Sequence, residues 1–172
     1  MSEEIDNYFK EENRNKSERK TDPRIEKLLK QYKKQDLKEA IIVDIDGTLS
    51  LANDRNPYDA TKSILDFPNI PVMNLVEIMS KTHTIILMTG REEQSRDVTI
   101  KFLERNNVTY SLLLMRKNGD YRQDKIIKKE LYKEFIKDKY FVEFVLDDRD
   151  QVIEMWRHDL GLPCFQVYYG DF

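Results

Sequence analysis

The stretch IIVDIDGTLS, residues 41–50, constrains this chain more than any other, because a strongly hydrophobic run there ends in two aspartates one residue apart. Apolar, β-branched residues in a short run read as a buried strand. The Gly47-Thr48 pair then turns the chain away. Asp44 and Asp46 therefore fall where the strand leaves the core, and a carboxylate in that position is costly unless something neutralises it. A pair of surface aspartates at a strand-to-turn junction would not account for the Gly-Thr that follows, nor for two further polar clusters downstream.

From Ala40 onward, short apolar runs alternate with amphipathic stretches: IIVDI, PVMNLVEIMSK, TIILMT, VTIKFLERN, YSLLLM, IIKKELYKEFI, YFVEFVL, QVIEMWRHD and FQVYY. Strands alternating with helices predict parallel strands joined by right-handed crossovers. The expected fold is α/β: a three-layer sandwich around a Rossmann-like, mostly parallel sheet of about five strands. Ligands of such sheets bind outside the carboxyl ends of the strands. The first strand ends in Asp44-Ile45-Asp46-Gly47-Thr48, the second in Thr89-Gly90-Arg91, and FVEFVL in Asp147-Asp148-Arg149. All three clusters are expected on one edge.

The segment before this pattern differs. Its first 40 residues hold 11 Lys or Arg, 10 Asp or Glu and no glycine, so they carry +1; the other 132 carry 18 minus 22, or −4, and the sum is the chain's −3. Residues 1–21 read as a charged arm too poor in apolar groups to offset the entropy of ordering. In RIEKLLKQYKK, behind Asp22-Pro23, Ile25, Leu28, Leu29 and Tyr32 recur at helical spacing, so residues 22–39 read as an amphipathic helix and 40–172 as the domain. No run approaches 18 apolar residues and MSEEIDNYFKEENRNK has no apolar signal core. No membrane association is expected, and the setting is read as intracellular and cytoplasmic, a phage- or virus-infected cell included. One cysteine, Cys164, and two histidines exclude an internal disulfide, a Cys/His zinc site and a redox pair.

Converging aspartates with oxygen-only donors favour Mg²⁺. If Asp44 attacked a phosphate dianion from about 3.5 Å, the bare repulsion at an effective dielectric of about 20 would be roughly 9 kcal/mol. Cations must offset that. A Mg²⁺ bridging carboxylate and phosphate would do so, helped by a lysine and arginines. Lys128 opens the helix DKIIKKELYKEF, with Asp124 four residues earlier on the same face to orient it, and Arg55 and Arg91 follow the first two strand ends. Lys128 also sits among Lys125, Lys129 and Lys133, which is how an ordinary solvated lysine would look. A phosphoryl-aspartate route further needs an acid for the leaving oxygen and a base for water. Asp46 is placed for both, provided burial and anionic neighbours keep it protonated at first. One of Asp147 and Asp148 could instead cap the helix that follows.

Four motifs, DIDGT, a strand ending in TGR, the helix-borne Lys128 and a strand ending in LDD, resemble in order and spacing those of the haloacid dehalogenase-like (HAD) phosphatases. More narrowly, DGTLSLANDRNPYD, ILMTGRE, RQDKIIKKE, VLDDRDQVIEMWR and CFQVYYGDF resemble the 3′-phosphatase domain of phage polynucleotide kinase/phosphatase, over roughly residues 40–172. The resemblance implies Asp44 as nucleophile and Asp46 as general acid/base. It implies Mg²⁺ held by Asp44, the Asp46 backbone carbonyl and Asp148, with Asp147 behind them. Thr89 and Lys128 would bind the phosphoryl oxygens, with Arg55, Arg91 and Asp124 at functionally required positions. No G-x-x-x-x-G-K-[ST] motif occurs at any of the five glycines, so these residues are not expected to act as the 5′-kinase: either another protein supplies that activity or only the 3′ end is treated.

The intervals Thr48 to Pro71 and Arg91 to Lys128 leave no room for a large cap domain. An uncovered site admits a polymer end, which favours 3′ ends of DNA or RNA as partners, alongside a separate kinase or ligase. The domain's negative balance predicts weak, salt-sensitive binding through about two or three phosphate contacts. Arg116, Lys117 and Arg122, around Gly119, are candidates for touching the backbone. The competing readings are a capless phosphatase for mononucleotides or phosphoproteins and a repair-complex adaptor. An adaptor would tolerate losing Asp44, Asp46, Lys128 or Asp148.

Overall fold

A computed structural model describes residues 37–53 and 60–169, together with Pro23. The chain divides into units Met1–Lys34 and Gln35–Phe172, and the second holds all the described residues except Pro23. The expected arm, most of the expected helix and Arg55 lie outside the described residues. The first strand starts at Lys38, two residues inside the span read as helix.

Strand β1 is Lys38–Val43, followed by a two-stranded antiparallel ribbon, β2 (Ser50–Leu51) with β3 (Phe67–Pro68), and helix α1 (Ile70–Met79). Then come β4 (Thr84–Glu92), α2 (Arg96–Arg105), β5 (Leu112–Arg116) and α3 (Asp124–Leu131), which runs on as a π-turn over Tyr132–Ile136. Strand β6 (Tyr140–Asp147), α4 (Asp150–Glu154) with its own π-turn over Met155–Asp159, and β7 (Cys164–Gln166) complete the domain. The main sheet has five strands in the order β5-β4-β1-β6-β7. All four of its pairings are parallel, so the expected topology is met.

Burial on both faces explains why the strands read as continuous apolar runs. Ile41, Val43, Ile85 and Leu87 point to one side, against Val72, Met73 and Val76 of α1 and Phe102 and Leu103 of α2. Ala40, Ile42, Ile86 and Met88 point to the other, against Ile136, Val152, Ile153 and Trp156. Each fully buried aliphatic side chain contributes about 1.5–3 kcal/mol, so register is strongly fixed. A one-residue slip would exchange the two faces.

That register places the chemistry. Val43 pairs with Leu146 on one side and Leu87 on the other, so the next residues, Asp44 and Asp147, emerge side by side at the carboxyl edge. The Asp44 backbone N–H still donates to the Leu146 carbonyl, at 3.0 Å. Among the described residues neither candidate cap interval holds an extra domain. Residues 60–69 form a 3-10 turn and one strand of the ribbon, and 93–123 hold a short turn, α2, β5 and a loop. No helix of the described residues is long and apolar enough to cross a membrane.

Candidate active site

The three clusters meet at the carboxyl edge of β4, β1 and β6, on the wall of an open cleft of about 860 Å³. Gly47 makes the convergence possible. Its φ is +82°, and a Cβ there would collide with the carboxylate of Asp148. Gly47→Ala is expected to cost about 1–2 kcal/mol for the left-handed backbone alone. Displacement of Asp148 comes on top, so chemical denaturation should read more than that figure.

Lys128 is the centre of the charge arrangement. Its side chain is 3% exposed, and its ammonium donates to Asp44 Oδ1 at 2.7 Å and Asp147 Oδ2 at 2.8 Å. Burial opposes its charge, but Asp147, Asp44 and Asp124 together outweigh that and hold it protonated above the usual lysine range. The solvated-lysine alternative is thereby removed. Asp124 does not orient it by a direct bond, as spacing on the helix suggested. Its carboxylate is clamped between Arg116 and Arg149 instead, and Gly90 is the residue that leaves space for it.

Burial pushes the Asp44 carboxyl well above the ordinary carboxylate range; Lys128 opposes this, while Asp147 and Asp148 add to it. Burial, then Asp147, likewise raise Asp148 to about 6. Asp147 is fully occupied. Oδ2 accepts from Lys128 and from the Trp156 indole N–H at 3.2 Å, and Oδ1 accepts from the backbone N–H groups of Asp148 and Arg149.

The donor set can be tested for a cation. Asp44, Asp147 and Asp148 each bring an oxygen within 4.8 Å of the others. Three carboxylates face one ammonium, and Asp148 Oδ2 is buried with no hydrogen-bond partner among the described residues. A buried anionic oxygen left unpaired costs several kcal/mol. Hard, all-oxygen donors with an excess of negative charge fit a Mg²⁺-like ion. Asp44 and Asp148, whose oxygens are less committed than those of Asp147, are the two that would hold it.

Asp46 and Arg91 depart from expectation together. Arg91 was read as a phosphate ligand, yet its side chain is 3% exposed and forks onto Asp46, Nε to Oδ2 at 2.8 Å and Nη2 to Oδ1 at 2.7 Å. Its remaining hydrogens reach Ser63 and Thr99, and Asp66 lies 3.6 Å away. Buried acceptors on the ribbon and α2 thus draw the guanidinium inward, and Arg91 positions Asp46. Where burial and anionic neighbours were expected around Asp46, the described residues give it a side chain that is 35% exposed and a facing cation, Arg91. Thr89 is buried, its hydroxyl accepting from the Arg91 backbone N–H at 3.1 Å and lying 3.5 Å from Asp46 Oδ2.

Arg116 and Arg122 are not free for a nucleic-acid backbone either. Arg116 donates to the carbonyls of Gly90, Asp120 and Arg122 as well as to Asp124. Arg122 forks onto Asp120 and Glu130. Sequence reading had no signal for these partners, nor for Trp156, which looked like core alone; the Asp147-to-Trp156 bond spans a strand end and two turns of helix. His83, at the opposite edge of the sheet, bonds Glu143. Cys164 is buried, and that burial pushes its thiol up to about 12, which leaves it unreactive.

Fold and site together define a phosphatase domain of the haloacid dehalogenase-like class. A family model described as the polynucleotide kinase PNKP phosphatase domain matches residues 38–172, and the chain belongs to that family. A protein of Autographa californica nuclear polyhedrosis virus, named as a bifunctional polynucleotide kinase/RNA ligase, is 31% identical over 128 residues, 72% of this chain but 18% of that protein. A chain in the structure of the Pnkp1/Rnl/Hen1 RNA repair complex is 52% identical, with a TM-score of 0.79 over 80% of this chain and 45% of that one. The class C acid phosphatase from Bacillus anthracis, with tungstate bound, shares the fold at 19% identity and a TM-score of 0.54, over 83% of this chain and 70% of that one. The chain thus spans less than half of the first two relatives.

Proposed function

We propose that the chain is a Mg²⁺-dependent polynucleotide 3′-phosphatase that clears 3′-terminal phosphate from broken DNA or RNA. The observation that carries this is the Asp44 carboxylate, fixed by buried Lys128 beside the unpartnered oxygen of Asp148, at the floor of an uncapped cleft. Asp44 attacks phosphorus, the bond to the 3′-oxygen breaks, and Asp46 donates a proton to that oxygen. To do so Asp46 first gives up part of the Arg91 fork and takes that proton from solvent. It then takes a proton from the water that attacks the aspartyl phosphate, which releases inorganic phosphate and restores Asp44. Lys128 and Thr89 hold phosphoryl oxygens. A bound Mg²⁺ supplies charge neutralisation for the attack. The 31%-identical viral relative and the 52%-identical chain of an RNA repair complex support RNA ends as substrate, with a ligase as partner. Residues 1–21 as an arm and the stretch from 22 up to the first strand at Lys38 as a docking helix for that partner remain part of this reading, in a cytoplasmic setting.

Phosphate release from a 3′-phosphorylated oligonucleotide, compared with a 3′-mononucleotide and a 5′-phosphorylated oligonucleotide, with Mg²⁺ or EDTA, tests it. The 3′-phosphorylated strand should be the best substrate and EDTA should stop turnover. Equal rates on the mononucleotide would assign a small-molecule phosphatase instead.

The metal site has a separate signature in stability. Because the fold raises Asp148 from 3.8 to about 6, its contribution to stability is full below 3.8 and is lost as pH rises through about 6. Asp148→Asn removes that loss. Without metal, the melting temperature of the D148N protein minus that of wild type should therefore grow between pH 4 and pH 7. Mg²⁺ should raise the wild-type melting temperature at pH 7.5 and do so much less at pH 5.

A further inference from the structure

The site just described occupies only the floor of its cleft. About 860 Å³ lies near the top of the range that encloses whole drug-sized ligands, roughly 300–1,000 Å³. A phosphoryl group alone would leave most of it empty. Two residues on its walls have no part in the chemistry above.

Tyr121 is 87% exposed and makes no hydrogen bond or ring contact among the described residues, although it lines the cleft. The loop around it is tied down. Gly119 N–H donates to Glu92 at 2.8 Å, Arg116 holds the carbonyls of Asp120 and Arg122 at 2.7 Å each, and Arg122 bridges Asp120 and Glu130. The aromatic side chain therefore projects from a braced backbone, and ordering it on binding costs little entropy.

Lys101 stands on α2, in the helical layer opposite the one that the Tyr121 loop enters. Every other Lys or Arg among the described residues of the cleft is committed to an acid: Arg91 to Asp46, Arg116 and Arg149 to Asp124, Arg122 to Asp120 and Glu130, and Lys128 to Asp44 and Asp147. Lys101 is exposed and, among the described residues, has no ion pair, not even with Asp97 one turn earlier on the same helix and in the same cleft. One wall thus offers a free aromatic face and the other a free cation, above a phosphate-sized floor.

We propose that Tyr121 and Lys101 form a strand-binding subsite: Tyr121 stacks a base at the 3′ end, and Lys101 pairs with a phosphodiester of the same strand. The inference rests on the polynucleotide 3′-phosphatase reading and names its substrate as a single-stranded end with its bases unstacked from a complement. An aromatic platform with a nearby cation is how proteins hold single strands without reading sequence.

The test uses the full chain with Mg²⁺ and two 3′-phosphorylated single strands, one intact and one lacking its last two bases. Wild type should show the lower KM on the intact strand. Tyr121→Ala should raise that KM about tenfold, within the range that loss of one base–aromatic stack produces, and shift the abasic strand's KM much less. Tyr121→Trp should restore the preference. Lys101→Gln should reduce the slope of log KM against log salt by about 0.7, one phosphate contact of a single strand. Equal rises on both strands in Y121A, or no rescue by Y121W, would assign Tyr121 to loop structure and overturn the subsite. If wild type releases phosphate from both strands without preferring the intact one, the subsite fails while the phosphatase reading stands. Release from neither overturns both.

Discussion

Asp44→Asn is expected to abolish phosphate release, by at least about 10⁴-fold, in line with the loss of a nucleophile that acts as a unit with its neighbours. The amide keeps the size of the carboxylate and can still accept from Lys128, whose other bond, to Asp147, is untouched. Folding should consequently survive. Because the buried Asp44 carboxyl is held well above its ordinary range, chiefly by burial, removing its charge should leave the metal-free protein at least as stable as wild type at neutral pH. Circular dichroism and thermal melting separate this outcome from unfolding. Retained turnover in a well-folded D44N protein would remove the aspartyl-phosphate route.

Lys128→Met should behave in the opposite way, losing both activity and stability. Methionine fills most of the same space but leaves Asp44 and Asp147 buried without their shared cation. Breaking a buried ion pair from one side costs about 3–5 kcal/mol, which is a large share of the roughly 5–15 kcal/mol that holds a domain together. The sign with pH follows from the carboxylates that remain. Protonation relieves them, so the deficit relative to wild type should be larger at pH 8 than at pH 5. Urea denaturation at the two pH values measures this. A deficit independent of pH would mean that lost packing, not stranded charge, is responsible.

Much of the architecture was legible because the two periodicities and the turn residues agreed along the chain. Each of the nine runs from Ala40 onward overlaps a strand or helix of the domain, though FQVYY contributes only Phe165 and Gln166 to β7, and IIVDI leads a central strand because its neighbours on both sides are equally apolar. The boundaries were less exact. The first strand reaches back to Lys38 because hydrogen bonding to Tyr140 and Phe141 continues past the last buried residue, where side-chain pattern carries no signal. The carboxylates of the site were legible too, since a strand end that spends Asp on a buried edge announces a need for a counter-charge.

Arginine partners were not legible. Arg91 and Arg116 read as cations near a phosphate site, and both turned inward. Nothing in TGRE or LLMRKNG tells whether the nearest acceptor is a ligand oxygen or Asp46, Ser63, Thr99 and a row of loop carbonyls. A long, flexible side chain with five donors is satisfied by whichever acceptors the packed layers bring within reach. Asp124 was misread for the same reason. Helical spacing gave its neighbour Lys128, while Arg116 and Arg149 reach it from two other elements, the end of β5 and the turn after β6.

The sequence by itself thus determined the parallel α/β sheet and the edge where its polar clusters meet, because these are encoded in local pattern and strand position, and it pointed to Asp44, Asp46, Lys128, Asp147 and Asp148 as candidates there. Only the tertiary structure decided how the charges pair. Lys128 bridges Asp44 and Asp147, Trp156 and two backbone amides occupy what is left of Asp147, and Asp148 keeps a buried oxygen with no partner among the described residues. Pairing depends on distances of a few ångströms between residues up to a hundred positions apart, and those distances exist only after the two helical layers have closed on the sheet.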